Sequence, residues 1–154
     1  MEQHVELIKK YRVELDKYFS IMGKMERSRE ISLAITTAQS AKMWLGKTLE
    51  ALDQPNPYPD SKNAANTKIA PTADVFSGDI EKELEGVAHI QKVKTLRARL
   101  TDLYNNISEK YLQNVDVNIF PTALGTINKA WEYVVESNMW LGMELGRINN
   151  ESNK

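Results

Sequence analysis

Two stretches of this chain carry the same apolar rhythm, and that rhythm leaves little choice of fold. Ile31, Ile35, Ala38, Lys42, Leu45, Leu49 and Leu52 follow one another at alternating steps of four and three. So do Ile127, Trp131, Val134, Asn138, Leu141, Leu145 and Ile148, 96 positions later. Such steps put one side chain per turn on a single seam of an α-helix, the pattern of helices that pack side by side. Even the polar breaks, Lys42 and Asn138, coincide, and Met43-Trp44-Leu45-Gly46 recurs as Met139-Trp140-Leu141-Gly142 in the same phase. The repetition predicts an internal duplication of a helical unit.

Each of these segments follows another amphipathic one. Val5, Ile8, Tyr11, Leu15, Tyr18, Phe19 and Met22 predict a first helix that Gly23-Lys24 interrupts, and the second helix is expected from about Ser28 to Ala51. From Asp79 onward, Ile80, Leu84, Val87, Ile90, Val93, Leu96, Leu100, Leu103, Tyr104, Ile107 and Tyr111 predict one long third helix. The run Asn114–Asn118 and Pro121 then break the chain, and a fourth helix is expected to start near Thr122. A shift of 85 overlays the first and third segments more loosely, pairing Arg12 with Arg97, Leu15 with Leu100, Phe19 with Tyr104 and Met22 with Ile107. The expected fold is mostly α: antiparallel helical hairpins forming a bundle, duplicated in tandem and joined by a long Pro/Asn-rich loop. Residues 1–154 form a single domain on this reading, with a first hairpin over 1–53, an ordered loop over 54–78 and a second, degenerate hairpin over 79–154.

Composition removes whole classes of function. The chain has no cysteine, hence no disulfide framework and no thiolate ligand or nucleophile. Twenty Lys and Arg against 21 Asp and Glu leave a formal charge of -1, which gives no general pull toward polymeric nucleic acid or an anionic membrane. The first residues are polar and no apolar run nears the ~20 residues of a membrane span, so neither a signal peptide nor a transmembrane helix is expected. His4 and His89 stand 85 positions apart without a ligand-like partner spacing, and read as surface or boundary residues rather than a metal site. There is no GxSxG, GxxxxGK[ST] or GxGxxG motif. The carboxylates fall at helical spacings that suit pairing with Lys or Arg, so they are expected on solvated faces. Neither a catalytic residue nor a cofactor is expected.

Two features admit more than packing. Trp44 and Trp140 read first as large core or interface side chains, with Gly46 and Gly142 admitting a close backbone. The alternative is the edge of a pocket for a flat aromatic ligand, with Lys47 nearby for a phosphate. The stretch from Asp53 to Ser77 holds four of the five prolines and many amide, hydroxyl and ammonium groups. It reads either as an exposed linker or as a set of groups that grips base edges and phosphates.

The run Ser28-Arg29-Glu30-Ile31-Ser32-Leu33-Ala34-Ile35-Thr36-Thr37-Ala38-Gln39-Ser40-Ala41-Lys42-Met43-Trp44-Leu45-Gly46-Lys47, followed by NPYPDSKN and NTKIAPTADV, resembles the small phage helical-hairpin family of Thoeris anti-defence and anti-CBASS sponge proteins. The likeness covers about residues 5 to 76 and is most specific in REISLAIT and MWLGK joined to NPYP. It implies a non-enzymatic phage protein that sequesters a bacterial immune signal, a cyclic ADP-ribose isomer or a cyclic oligonucleotide, as a homo-oligomer in the cytoplasm of the infected host. The second half departs from the pattern: it keeps MWLG but has Gly125, Glu132 and Val135 where the first has Arg29, Thr36 and Gln39. A second hairpin of this kind would supply packing surface that a partner subunit supplies in shorter relatives.

Carried over onto matching positions, the resemblance implies ligand-binding roles for Arg29, Thr36, Gln39 and Lys47 on the second helix. On the loop it implies Tyr58, Lys62, Asn66, Lys68, Thr72 and Asp74. Arg29, Lys47, Lys62 or Lys68 would meet phosphates, Tyr58 would stack on a base or ribose, and Asn66, Thr72 and Asp74 would fix a sugar or base edge. The competing expectation is a helical protein-interaction or regulatory module that docks a host or phage protein through its seams and Trp residues. An enzyme that degrades the signal ranks last, for want of any nucleophile or metal constellation.

Overall fold

The computed structural model describes residues 2–52 and 79–152. Among them there is no strand, and helices pack against one another as a mostly α bundle. In chain order these are α1 (Glu2–Gly23), α2 (Arg29–Ala51), α3 (Ile80–Glu83), α4 (His89–Ile107) and α5 (Pro121–Ser152).

The seam residues do what their spacing predicts. Ile31, Ala38, Leu45 and Leu49 of α2 and Ile127, Val134 and Leu141 of α5 are fully buried, and each such Leu or Ile contributes roughly 1.5–3 kcal/mol on leaving water. From α1 come Ile8, Tyr11, Leu15 and Met22, and from α4 Val93, Leu96, Leu100 and Leu103. Helices α2 and α5 form the central pair, with α1 on α2 and α4 on α5. That pair is antiparallel: Ser28 meets Glu144 at 2.8 Å, the Ser137 hydroxyl donates to the Ala34 carbonyl at 2.8 Å, and Thr48 meets Thr126 at 2.7 Å. Ala34, Ala38 and Ala41 on α2 are fully buried, small side chains that let α5 approach closely.

Polar groups at the centres of the outer pairs are satisfied in a matched way. Lys42 on α2 bridges both oxygens of Asp16 on α1 at 2.7 Å, and Arg12 Nε donates to the Lys42 carbonyl at 3.3 Å. Asn138 on α5 donates from Nδ2 to Thr101 Oγ1 on α4 at 3.1 Å and accepts from Arg97 Nε at 3.2 Å. The polar breaks in both seams are therefore inter-helix ties, not packing faults.

One expectation needs correction. The third segment is not one helix: α3 ends at Glu83, and Gly86, at φ 69°, turns the chain before α4 begins at His89. Glycine tolerates that left-handed conformation, while Ile80 and Leu84 stay buried on the near side of the turn. Beyond Ile107 the helix widens into a π-helical segment, Ser108–Leu112, closed by a bond from Gln113 N to the Ser108 carbonyl at 2.7 Å. Helix α5 starts at Pro121, beside the expected Thr122, since proline at the first helical position forfeits only an N–H that has no partner there.

Candidate functional site

The four expected site residues within the described chain lie along one exposed stripe of α2. Arg29, Thr36, Gln39 and Lys47 all face solvent, because they sit opposite the buried seam of Ile31, Ala38 and Leu45. The other six, Tyr58, Lys62, Asn66, Lys68, Thr72 and Asp74, lie outside the described residues. Thr36 turns its hydroxyl back to the Ser32 carbonyl at 3.0 Å, satisfying it within the helix.

The two cations of the stripe each rest on a tryptophan of the repeated tetrapeptide. The Arg29 guanidinium carbon is 5.4 Å from the ring centre of Trp140 on α5, and Lys47 Nζ is 5.6 Å from that of Trp44. A cation held over an indole face keeps its N–H groups outward while the ring shields one side from water. Each pair is a ledge that sets a positive charge over an indole packed on the core. The ledges do not converge: Arg29 and Lys47 are 18 positions apart, about 27 Å along a helix at 1.5 Å per residue. Met43, Met139 and Met143 project from the same two helices with 46%, 47% and 53% of their surface exposed.

The glycine of the second tetrapeptide works differently from the expected backbone contact. A Cβ on Gly142 would lie 3.2 Å from Arg97 Cζ and Nη2, so the glycine makes room for a guanidinium of α4. Gly142 also lines an open cleft of about 450 Å3 with Glu30, Met143, Gly146, Arg147 and Asn150.

Sequence reasoning missed the most developed polar cluster. Glu144 of α5 is fully buried, contrary to the expectation that carboxylates sit on solvated faces. It accepts from Ser28 Oγ at 2.8 Å, from His89 Nε2 at 2.6 Å, and from Arg147 Nε and Nη2 at 2.9 and 3.0 Å. Burial by itself would raise its pKa, but the bonds from Arg147, His89 and Ser28 outweigh that and hold it at about 2. Ser28 also caps α2, accepting from Ile31 N at 3.0 Å, and His89 is the first residue of α4, so one carboxylate fastens three segments. The available signal was the 96-residue shift, which places Glu144 on the position of Thr48, buried in its own helix.

A second polar cleft, about 380 Å3, opens where α1 begins and the π-helical segment ends, with Lys110, Asn114 and Asp116 on its wall. There His4 Nε2 donates to the Asn118 carbonyl and Nδ1 accepts from the Tyr111 hydroxyl, both at 3.1 Å. Burial pushes the Tyr111 hydroxyl up to about 12, so it stays a proton donor at ordinary pH. Among the described residues no helix is long and apolar enough to cross a membrane, and no group of three or more His, Asp or Glu could hold a metal ion. No family model, curated protein or solved structure matches the chain.

Proposed function

We propose that this chain is a phage anti-defence protein that sequesters a cyclic nucleotide-type immune signal, a cyclic ADP-ribose isomer or a cyclic oligonucleotide, without cleaving it. The observation that carries the reading is the pair of cation–tryptophan ledges, Arg29 on Trp140 and Lys47 on Trp44, at the two ends of the exposed α2 stripe. A nucleotide needs positive charge for its phosphate and a planar or aromatic neighbour for its base, and each ledge combines a cation with an indole. Stacking of about 1–3 kcal/mol and charge-assisted bonds of about 1.5–3 kcal/mol give such a site enough attraction for tight binding once ordering costs are met. The resemblance of REISLAIT, MWLGK and NPYP to the phage sponge proteins points the same way. On this reading the protein is non-enzymatic, acts in the cytoplasm of the infected bacterium, assembles as a homo-oligomer, and arose by duplication of one hairpin.

Native mass spectrometry of the protein mixed with cyclic dinucleotides, cyclic trinucleotides and cyclic ADP-ribose isomers tests the proposal. Saturable adducts that release intact ligand on heating are expected. A linear product would make the protein an enzyme, and absence of any adduct would sink the sponge reading. Exposure of Met43, Met139 and Met143 beside the tryptophans favours a second reading, a helical module that docks a host or phage protein, since methionines adapt to varied apolar partners. Under that reading the panel gives no adduct, and Met139→Asp weakens a protein complex instead.

A further inference from the structure

We infer that Arg97, on the groove between α4 and α5, is a seat for a phosphate oxyanion, at a position the proposed ligand-binding set does not include. The guanidinium is half-buried and held from two sides. Nε donates to Asn138 Oδ1 at 3.2 Å, and the Asn138 amide is itself fixed in that orientation because its Nδ2 donates to Thr101 Oγ1 at 3.1 Å. Gly142 makes the space: Cζ, Nη2 and Nη1 lie 3.2, 3.2 and 3.5 Å from where a Cβ would be. With Nε engaged, the two terminal nitrogens form a fork whose donors have no partner among the described residues.

Arg97 differs in this from Arg99 and Arg147. Arg99 is paired with Glu83 at 2.9 Å, and Arg147 with Glu144 and Glu151 at 2.9 Å and with Glu30 at 3.7 Å. At the matching place between α1 and α2 the tie is a charged pair, Lys42 with Asp16, whereas Asn138 and Thr101 are neutral. The α4–α5 groove thus keeps one oriented positive charge and no carboxylate bonded to it. A partly desolvated guanidinium without a counter-charge is costly, and a fork with two parallel donors is the geometry that phosphate oxygens fit.

The test is an NMR titration of the arginine side-chain Nε–Hε resonances of the full chain. Inorganic phosphate, dimethyl phosphate, acetate and chloride are compared at constant ionic strength. A saturable shift of the Arg97 signal with phosphate or dimethyl phosphate, absent with chloride and weaker with acetate, is expected. Preference for inorganic phosphate identifies a terminal phosphate as the natural occupant, and preference for dimethyl phosphate a bridging diester. Arg97→Gln should weaken binding by about tenfold or more, and Arg97→Lys, which keeps the charge but loses the fork, should weaken it less. A response no different from that to chloride overturns the seat, and so does a response to acetate equal to that to phosphate. Because the readout is on the unsubstituted protein, it stands even where a variant folds poorly, and it is independent of whether a cyclic nucleotide is bound elsewhere.

Discussion

At the scale of single residues, Glu144 concentrates more of the fold's electrostatics than any other described side chain. A carboxylate with no exposed surface is unfavourable unless its oxygens are bonded, and here Arg147, His89 and Ser28 bond both. Its folded pKa, about 2 against an ordinary 4.5, lies below the unfolded value. The network therefore stabilises fully above the ordinary value and is lost as pH falls from about 4.5 toward 2. Urea denaturation across that range should show stability declining with acidification, by up to about 3 kcal/mol from this group. In Glu144→Gln the decline should be shallower, and at neutral pH the variant should already be about 3 kcal/mol less stable, since it leaves Arg147 and His89 against an uncharged amide. Equal pH profiles for the two proteins would mean that the carboxyl has the same pKa folded as unfolded, and a wild-type stability that rises on acidification relative to the variant would mean that it is protonated in the folded state.

At the scale of elements, α5 carries a testable surplus of glycine. Gly146 lies within the helix, is exposed, and would place a Cβ in open space, so it costs helix propensity with no steric purpose. Gly146→Ala should raise stability by about 0.5–1 kcal/mol in thermal denaturation. Gly142→Ala has the same propensity gain but must displace Arg97 by a few tenths of an ångström, so its gain should be smaller. A larger gain at 142 than at 146 would contradict the placement of Arg97. The helices themselves were legible in sequence, because the seams of α2 and α5 each bury at regular steps and Ser28 marks the entry to α2. What was not legible has physical causes. Apolar residues continue on both sides of Gly86, so helical periodicity passes over the turn that separates α3 from α4. The π-helical widening at Ser108–Leu112 leaves the order of apolar residues unchanged. Glu144 reads as a surface charge until its partners arrive from the α1–α2 connection and from α4, which no local window contains. In the candidate site, the outward stripe of α2 followed from the seam, while the stacking of Arg29 on Trp140 depends on how α2 and α5 meet.

At the scale of the whole molecule, the antiparallel pairing of α2 with α5 decides, on the proposed sponge reading, how far apart the two ledges of one chain lie. The pairing sets Trp140 beside the start of α2, where Arg29 is, and leaves Trp44 with Lys47 near the other end. The separation of about 27 Å exceeds what one small nucleotide can bridge, so the described residues of one chain hold the two ledges apart. Groups that far apart with no shared partner contribute independently to binding. For the ligand found by mass spectrometry, calorimetric titration of Arg29→Ala, Lys47→Ala and the double variant should give losses that add within about 0.5 kcal/mol. A coupling larger than that would not arise from the two ledges as the described residues of one chain hold them. Assembly that brings Arg29 of one copy against Lys47 of another would produce it, and the coupling should then disappear on dilution to the monomer.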